Sequence, residues 1–277
     1  MNRYLKLVHF EMNRFFKIYL VLIGITFLFQ MIAVFTTSRR YLDQANELIY
    51  KESMPMKEFL EQHGTFSLFD ATNSLWFGGP IALCIAALLF YVFFIWYRDW
   101  LGKNTFIYRL LMLPTDRMNV YLSKLTTILL YVFGLVALQI LLLLMEGQVL
   151  KWIVPNEFRS DSSVFEIISS NVILSLIIPR SFFEFVLIYG IGITAVLTVF
   201  TAILFERSFR LKGLIYGIIY CALAFFIFLI PLLVDAFILR YYFYPIELFV
   251  MEVILVLLLI TVALWLGNYL IKNKIRV

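Results

Sequence analysis

Six long apolar runs punctuate the chain, at 18–36, 75–97, 122–145, 182–205, 213–234 and 248–271. Crossing about 30 Å of hydrocarbon takes roughly 20 mostly apolar residues in helical form, so each run predicts a transmembrane helix. A seventh stretch, 164–179, is shorter, carries Glu166, Ser169, Ser170 and Asn171, and stops at Pro179. It is expected to form an external interfacial or re-entrant helix rather than a span. Residues 1–17 show a different pattern. On a helical wheel Tyr4, Leu5, Val8, Met12, Phe15 and Phe16 share one face, and Arg3, Lys6, His9, Asn13, Arg14 and Lys17 gather opposite, with Leu7, Phe10 and Glu11 out of place. Basic amphipathic helices of this kind lie in the headgroup plane. The segment is expected to be an elbow helix leading into the first span or, alternatively, a generic interfacial anchor. The expected fold is an all-α integral membrane protein, one domain over 1–277, with six transmembrane helices and this N-terminal elbow.

Composition excludes a soluble fold. Hydrophobic residues make up 63% and charged residues 15%, against about 45–50% and about 25% in soluble domains. Lipid must therefore solvate much of the surface. Cys84 and Cys221 fall inside apolar runs and read as small core residues. No secretory leader is expected, because the first seventeen residues are too polar to form its apolar core. The net charge of +5 acquires meaning through its distribution. With both termini in the cytoplasm, fifteen of the 23 Lys and Arg residues fall on the inner side, and every short loop obeys the positive-inside rule. A seventh span would carry Arg207, Arg210 and Lys212 to the outside. The expected plan has a long external loop at 37–74, with helical character over 42–62, a cytoplasmic loop at 98–121, and an external segment at 146–181.

The cytoplasmic loop carries the most chemistry. Asn104 or Thr105 can cap a short helix that Pro114 ends, and Thr115 or Asp116 can cap the next. Phe106, Ile107, Leu110, Leu111 and Leu113 make that short helix very apolar for a loop. It must bury this surface in lipid, in the bundle, or in a groove on another protein. The series Thr105-x-x-x-Arg109-Leu-Leu-x-Leu-Pro114-x-x-Arg117, followed by Lys124, resembles the coupling loop of permease subunits of bacterial type-2 ABC transporters. The resemblance extends to the elbow, the six spans, the cytoplasmic termini and the basic tail. It departs in the long first external loop and the short last one, 235–247.

The resemblance implies a permease with an exporter-like fold. Thr105, Phe106, Arg109, Leu110, Leu113, Pro114 and Arg117 would couple it to separate ABC ATPase subunits, with Arg109 and Arg117 making polar contacts to the ATPase or to lipid phosphate. It also implies pairing with a second permease subunit, identical or similar, in the bacterial plasma membrane. The chain itself lacks G-x-x-x-x-G-K-[ST], since Gly102-Lys103 is followed by Asn104. It is expected to be no enzyme and to hold no cofactor, with ATP and magnesium bound by the partner. The substrate class expected is an amphipathic peptide, antibiotic or lipid.

Other residues stand out on their own. Glu184 and Glu252 are carboxylates within predicted spans and candidates for a substrate path, although both lie close enough to a span end to reach interfacial water. Gly190 and Thr194 in the fourth span, and Gly213 and Gly217 in the fifth, have the small-residue spacing that lets helices approach. They read as packing positions, with a substrate path as the alternative. Pro231 is expected to kink the fifth span. His9 and His63 fall on opposite sides of the membrane and no Cys/His cluster exists, so no metal is expected, and nothing suggests nucleic-acid binding. A membrane-embedded sensor or interaction protein, using the long external loop without transport, is the alternative function.

Overall fold

The computed structural model describes residues 3–51, 53–100, 106–238 and 242–275. Among these the fold is all-helical: α1 (Arg3–Asn46), α2 (Met56–His63), α3 (Leu68–Thr72), α4 (Leu75–Trp100), α5 (Phe106–Leu111), α6 (Met118–Ile153), α7 (Val164–Ser170), α8 (Val172–Ile177), α9 (Phe182–Phe209), α10 (Leu211–Leu233) and α11 (Pro245–Asn273). An isolated bridge between Phe66 and Arg159 is the extended pairing among the described residues. α1, α4, α6, α9, α10 and α11 are the six helices long and apolar enough to cross a membrane. Helices are the form such segments must take, because hydrocarbon offers no partner to an unsatisfied backbone N–H or C=O. The protein is a multi-pass membrane protein.

The chain divides into two compact units. The first comprises Met1–Arg14, Leu88–Leu130 and Ser181–Val277, and the second Phe15–Ala87 and Tyr131–Arg180. In the first unit α9 and α10 form a tight hairpin. Its single-residue turn, Arg210, adopts φ +54°, a region that costs a residue with a Cβ. Gly213 of α10 lies directly on the backbone of Phe205, and Gly217 lies on Ala202, where a Cβ would meet the carbonyl oxygen at 3.0 Å. α11 packs on α9 where Gly190 faces Val256 and where the Thr201 hydroxyl donates to the Ala263 carbonyl at 3.3 Å. An aromatic knot of Trp96, Tyr121 and Phe200 fills the centre.

In the second unit Ala33, Val34, Phe77, Leu143, Leu150 and Ile168 form the heart of an apolar core. Gln30 on α1 donates to the Gln139 side chain on α6 at 3.0 Å. The Phe66 backbone pairs with Phe158 and Ser160. The 164–179 stretch is two short helices broken at Asn171. Its carboxamide oxygen caps α8 by accepting from Ile173 and Leu174, while its nitrogen donates to the Thr72 carbonyl. Seven and six residues reach only about 10 Å each at 1.5 Å per residue, so neither crosses a membrane.

One expectation is corrected. The elbow at 1–17 is not a separate helix, because α1 runs unbroken through its described part into the first span. The buried stripe there is Leu7, Val8, Glu11 and Phe15, whereas Leu5 and Phe16 are exposed. Leu7 and Glu11, the misfits of the wheel, are the positions that continue the stripe of the span. The helical character expected over 42–62 is present in two pieces. α1 continues past Asn46 as a wider helical segment, Glu47–Lys51, and α2 covers Met56–His63.

Candidate functional site

α4 and α6 flank the loop that the sequence singled out, and their facing ends meet α1 in a cluster of buried charges. Lys124, on the first turns of α6, is 0% exposed. Its ammonium has three N–H donors and three acceptors. Glu11 Oε1 takes one at 2.7 Å, the Ile95 carbonyl takes one at 2.9 Å, and Asp99 Oδ2 takes the third. The ring of Trp96 covers the ammonium at 5.3 Å. Glu11 also accepts from Arg98 at 2.9 Å, and Asp99 accepts from Arg14 at 2.6 Å. Three cations and two carboxylates thus join α1, α4 and α6 with every acid doubly paired. Burying such charges is tolerable only when partners replace the lost water, and here each carboxylate finds two.

Arg14 carries the cluster outward to the loop. Its guanidinium lies over the rings of Phe10 and Phe106, at 5.1 and 5.3 Å, and those rings stack on each other at 5.7 Å. α5 is held further by Ile107, Leu110 and Leu111, all buried, and by Tyr108 edge-on to Trp100. The tip beyond α5 is outward-facing. Arg109, Met112, Leu113 and Pro114 are exposed, while the Pro114 carbonyl accepts from Arg3. Asp116 then starts α6, accepting from the Met118 amide at 3.2 Å with Lys272 beside it at 3.4 Å. These contacts, the amide first, hold its carboxyl below the usual range.

The expected site residues therefore separate into roles. Thr105 lies outside the described residues. Leu110 is buried in the chain's own interior, whereas Leu113 is exposed. Arg117, expected to reach an ATPase or lipid phosphate, donates instead to the carbonyls of Ile271 and Ile275 at the end of α11. A cation there satisfies orphan carbonyls and complements the helix dipole. Gly190, Thr194, Gly213 and Gly217 sit at the helix contacts of the first unit, with the Thr194 hydroxyl bonded to the Gly190 carbonyl. Glu184 is exposed in the first turn of α9, where its amide donates to the Ser181 hydroxyl. Glu252 is buried on the stripe of α11 that includes Val256 and Leu259, and neither carboxylate oxygen has a hydrogen-bond partner among the described residues.

Two features went unread in the sequence. Asp99 drew no attention, although Arg98-Asp99 closing an apolar run and Lys124 opening the next is a legible signal for a charge pair across the loop. Glu146 is buried on α6, again with no hydrogen-bond partner for either oxygen among the described residues. Its predicted span ended one residue earlier, whereas α6 continues to Ile153. Among the described residues no group of His, Cys, Asp and Glu could hold a metal. Comparison of the chain with protein-family models, curated proteins and solved structures finds no match.

Proposed function

We propose that this chain is the membrane-spanning permease subunit of an ATP-driven exporter of the ABC type, with α5 and its tip as the docking element for a separate ATPase. The observation that carries the reading is the two-sidedness of this element. One side, Ile107, Leu110 and Leu111, is buried in the chain. The other presents Arg109, Met112 and Leu113, with Leu113 40% and Met112 69% exposed. A short helix whose following turn offers apolar side chains outward suits a groove on a partner.

The buried cluster explains how load on the tip would travel. Arg14 holds Phe106 and Asp99 together, and Lys124 ties Asp99 to Glu11. Displacement of α5 therefore moves the ends of α4 and α6 as one body, because separating them would strand buried charges. In this reading the partner binds ATP and magnesium, two permease subunits pair, and both termini face the cytoplasm, which the charge distribution supports. An amphipathic substrate would then be passed outward.

The test is whether an ABC ATPase is encoded beside this gene and co-purifies with the chain, followed by ATP-dependent transport in vesicles. Leu113→Glu and Met112→Glu should abolish association while leaving the subunit folded. Intact assembly and transport in the Leu113→Glu variant would rule out the coupling role. Leu110 is unsuitable for this test, since a charge at that buried position would damage the subunit itself.

A further inference from the structure

A cavity of about 230 Å³ opens in the second unit, between the last turns of α6, the start of α3, the 160–163 segment and the first turn of α7. Its floor is apolar. Leu68, Leu143, Leu150 and Ile167 are all buried members of that unit's core. Its more exposed lining, the rim, is mostly polar, with Lys151, Asp161 and the serines of the 160–163 segment beside Gln148 and the exposed Leu144. Gly147 belongs to the lining, and a Cβ built there would meet nothing within 4 Å. Unlike Gly213, this glycine does not admit another backbone; it leaves space.

The rim charges are unequally engaged. Asp161 is held by Arg159 at 2.6 Å. Arg159 is otherwise spent on the carbonyls of Lys151 and Val154 and on the Asn156 side chain. Glu166 turns back onto the Ser163 amide at 2.8 Å, closing the cap of α7. Lys151 has only a 3.7 Å approach to Asp161 and is half-exposed. It is the cation at this rim with the loosest engagement.

We propose that the cavity binds an amphiphile with an anionic head, its apolar chain on the leucine and isoleucine floor and its head against Lys151 and the serine hydroxyls. Removal of chain from water onto an apolar floor supplies the driving force, and the charge at the mouth sets orientation. The volume falls below the roughly 300–1,000 Å³ of sites for drug-sized ligands, so it admits a short chain or the end of a longer one. Such a ligand could be a bilayer phospholipid or a free amphiphile. The proposal does not rest on the exporter reading, because binding is measurable on this chain without an ATPase.

The test uses the full chain in phosphatidylcholine nanodiscs, titrated calorimetrically with decanoate and with decyltrimethylammonium against empty nanodiscs. Decanoate should bind saturably and the cationic probe should not. Substitution of Gly147 by Ala, Val and Leu should weaken decanoate stepwise, by roughly tenfold or more at Leu, since even one methylene in an apolar pocket is worth that much. The graded series and a thermal melt of each variant separate a filled cavity from a misfolded chain. Lys151→Gln should remove the preference for the anionic head. Repeating the titration in phosphatidylglycerol nanodiscs distinguishes the sources: competition identifies a bilayer lipid, and persistence a free amphiphile. Absence of saturable decanoate binding, or wild-type affinity in a folded Gly147→Leu variant, would overturn the proposal.

Discussion

Lys124 is the residue on which most of the candidate site depends. Its three donors are fully used and its two carboxylate partners are buried. Lys124→Met would keep the volume of the stem but leave Glu11 and Asp99 with two arginines alone to answer them. Breaking a buried ion pair by removing one partner costs about 3–5 kcal/mol, and the loss should appear as a lower unfolding temperature in detergent. Replacing all five members, Glu11, Arg14, Arg98, Asp99 and Lys124, together by apolar residues should cost much less than the sum of the single changes. Asp116 poses a pH question at the same scale. Its carboxyl is lowered by the Met118 amide and, secondarily, by Lys272. A depressed value means that the charged form is favoured on folding. Its contribution is therefore present above the unfolded value of about 3.9 and lost as pH falls through the folded one. Protection of the Met118 amide against hydrogen exchange, corrected for the intrinsic rate, should be flat near neutrality and fall on acidification below that value. Asp116→Asn should remove most of this pH dependence.

Elements meet one another here through small residues and through charges, and the two behave differently under mutation. In α10, Gly213 lies against the Phe205 backbone, where nothing can move aside without separating the helices. Gly213→Ala should destabilise by about 1–3 kcal/mol, the usual cost of overpacking. Gly192, in the neighbouring α9, faces open space. Gly192→Ala should be neutral or should stabilise by up to about 1 kcal/mol through helix propensity. Paired unfolding measurements on the two variants check that the difference lies in the contact and not in glycine itself. α1 illustrates the other case. Its N-terminal part looked like a surface helix because half its residues are basic or polar, yet Glu11 and Arg14 turn toward buried partners. A charge that finds a buried counter-charge behaves as core.

At the scale of the whole molecule, length and composition bear on how the helices meet the membrane. α1 has 44 residues and spans roughly 66 Å at 1.5 Å per residue, about twice the hydrocarbon thickness of about 30 Å. It must therefore project well into water or headgroups. The inferred orientation puts the α5 tip and the 160–163 segment on opposite sides. With Cys84 and Cys221 replaced, single cysteines at Met112 and Ser162 should react with an impermeant maleimide from opposite faces of sealed vesicles. Labelling of Met112 from the external face and Ser162 from the cytoplasmic one would reverse the topology, and labelling of both from one face would change the number of crossings between them; either result would remove the docking role of α5.

The sequence by itself determined the number of long helices, their approximate limits and the failure of 164–179 to cross. These follow from run length, from the demand that backbone groups be satisfied within hydrocarbon, and from local breakers such as Asn171. It also marked the loop around Phe106–Arg117, because apolar residues between two basic segments are conspicuous without any fold. Only the tertiary structure decided which residues of that loop face inward, that Arg117 serves the end of α11, and that α1 is continuous. It alone paired Glu11 with Lys124, 113 residues apart. Periodicity reports how a residue sits relative to its near neighbours in the chain. Whether a charge is buried, and what answers it, depends on helices that are distant in sequence and adjacent only after packing.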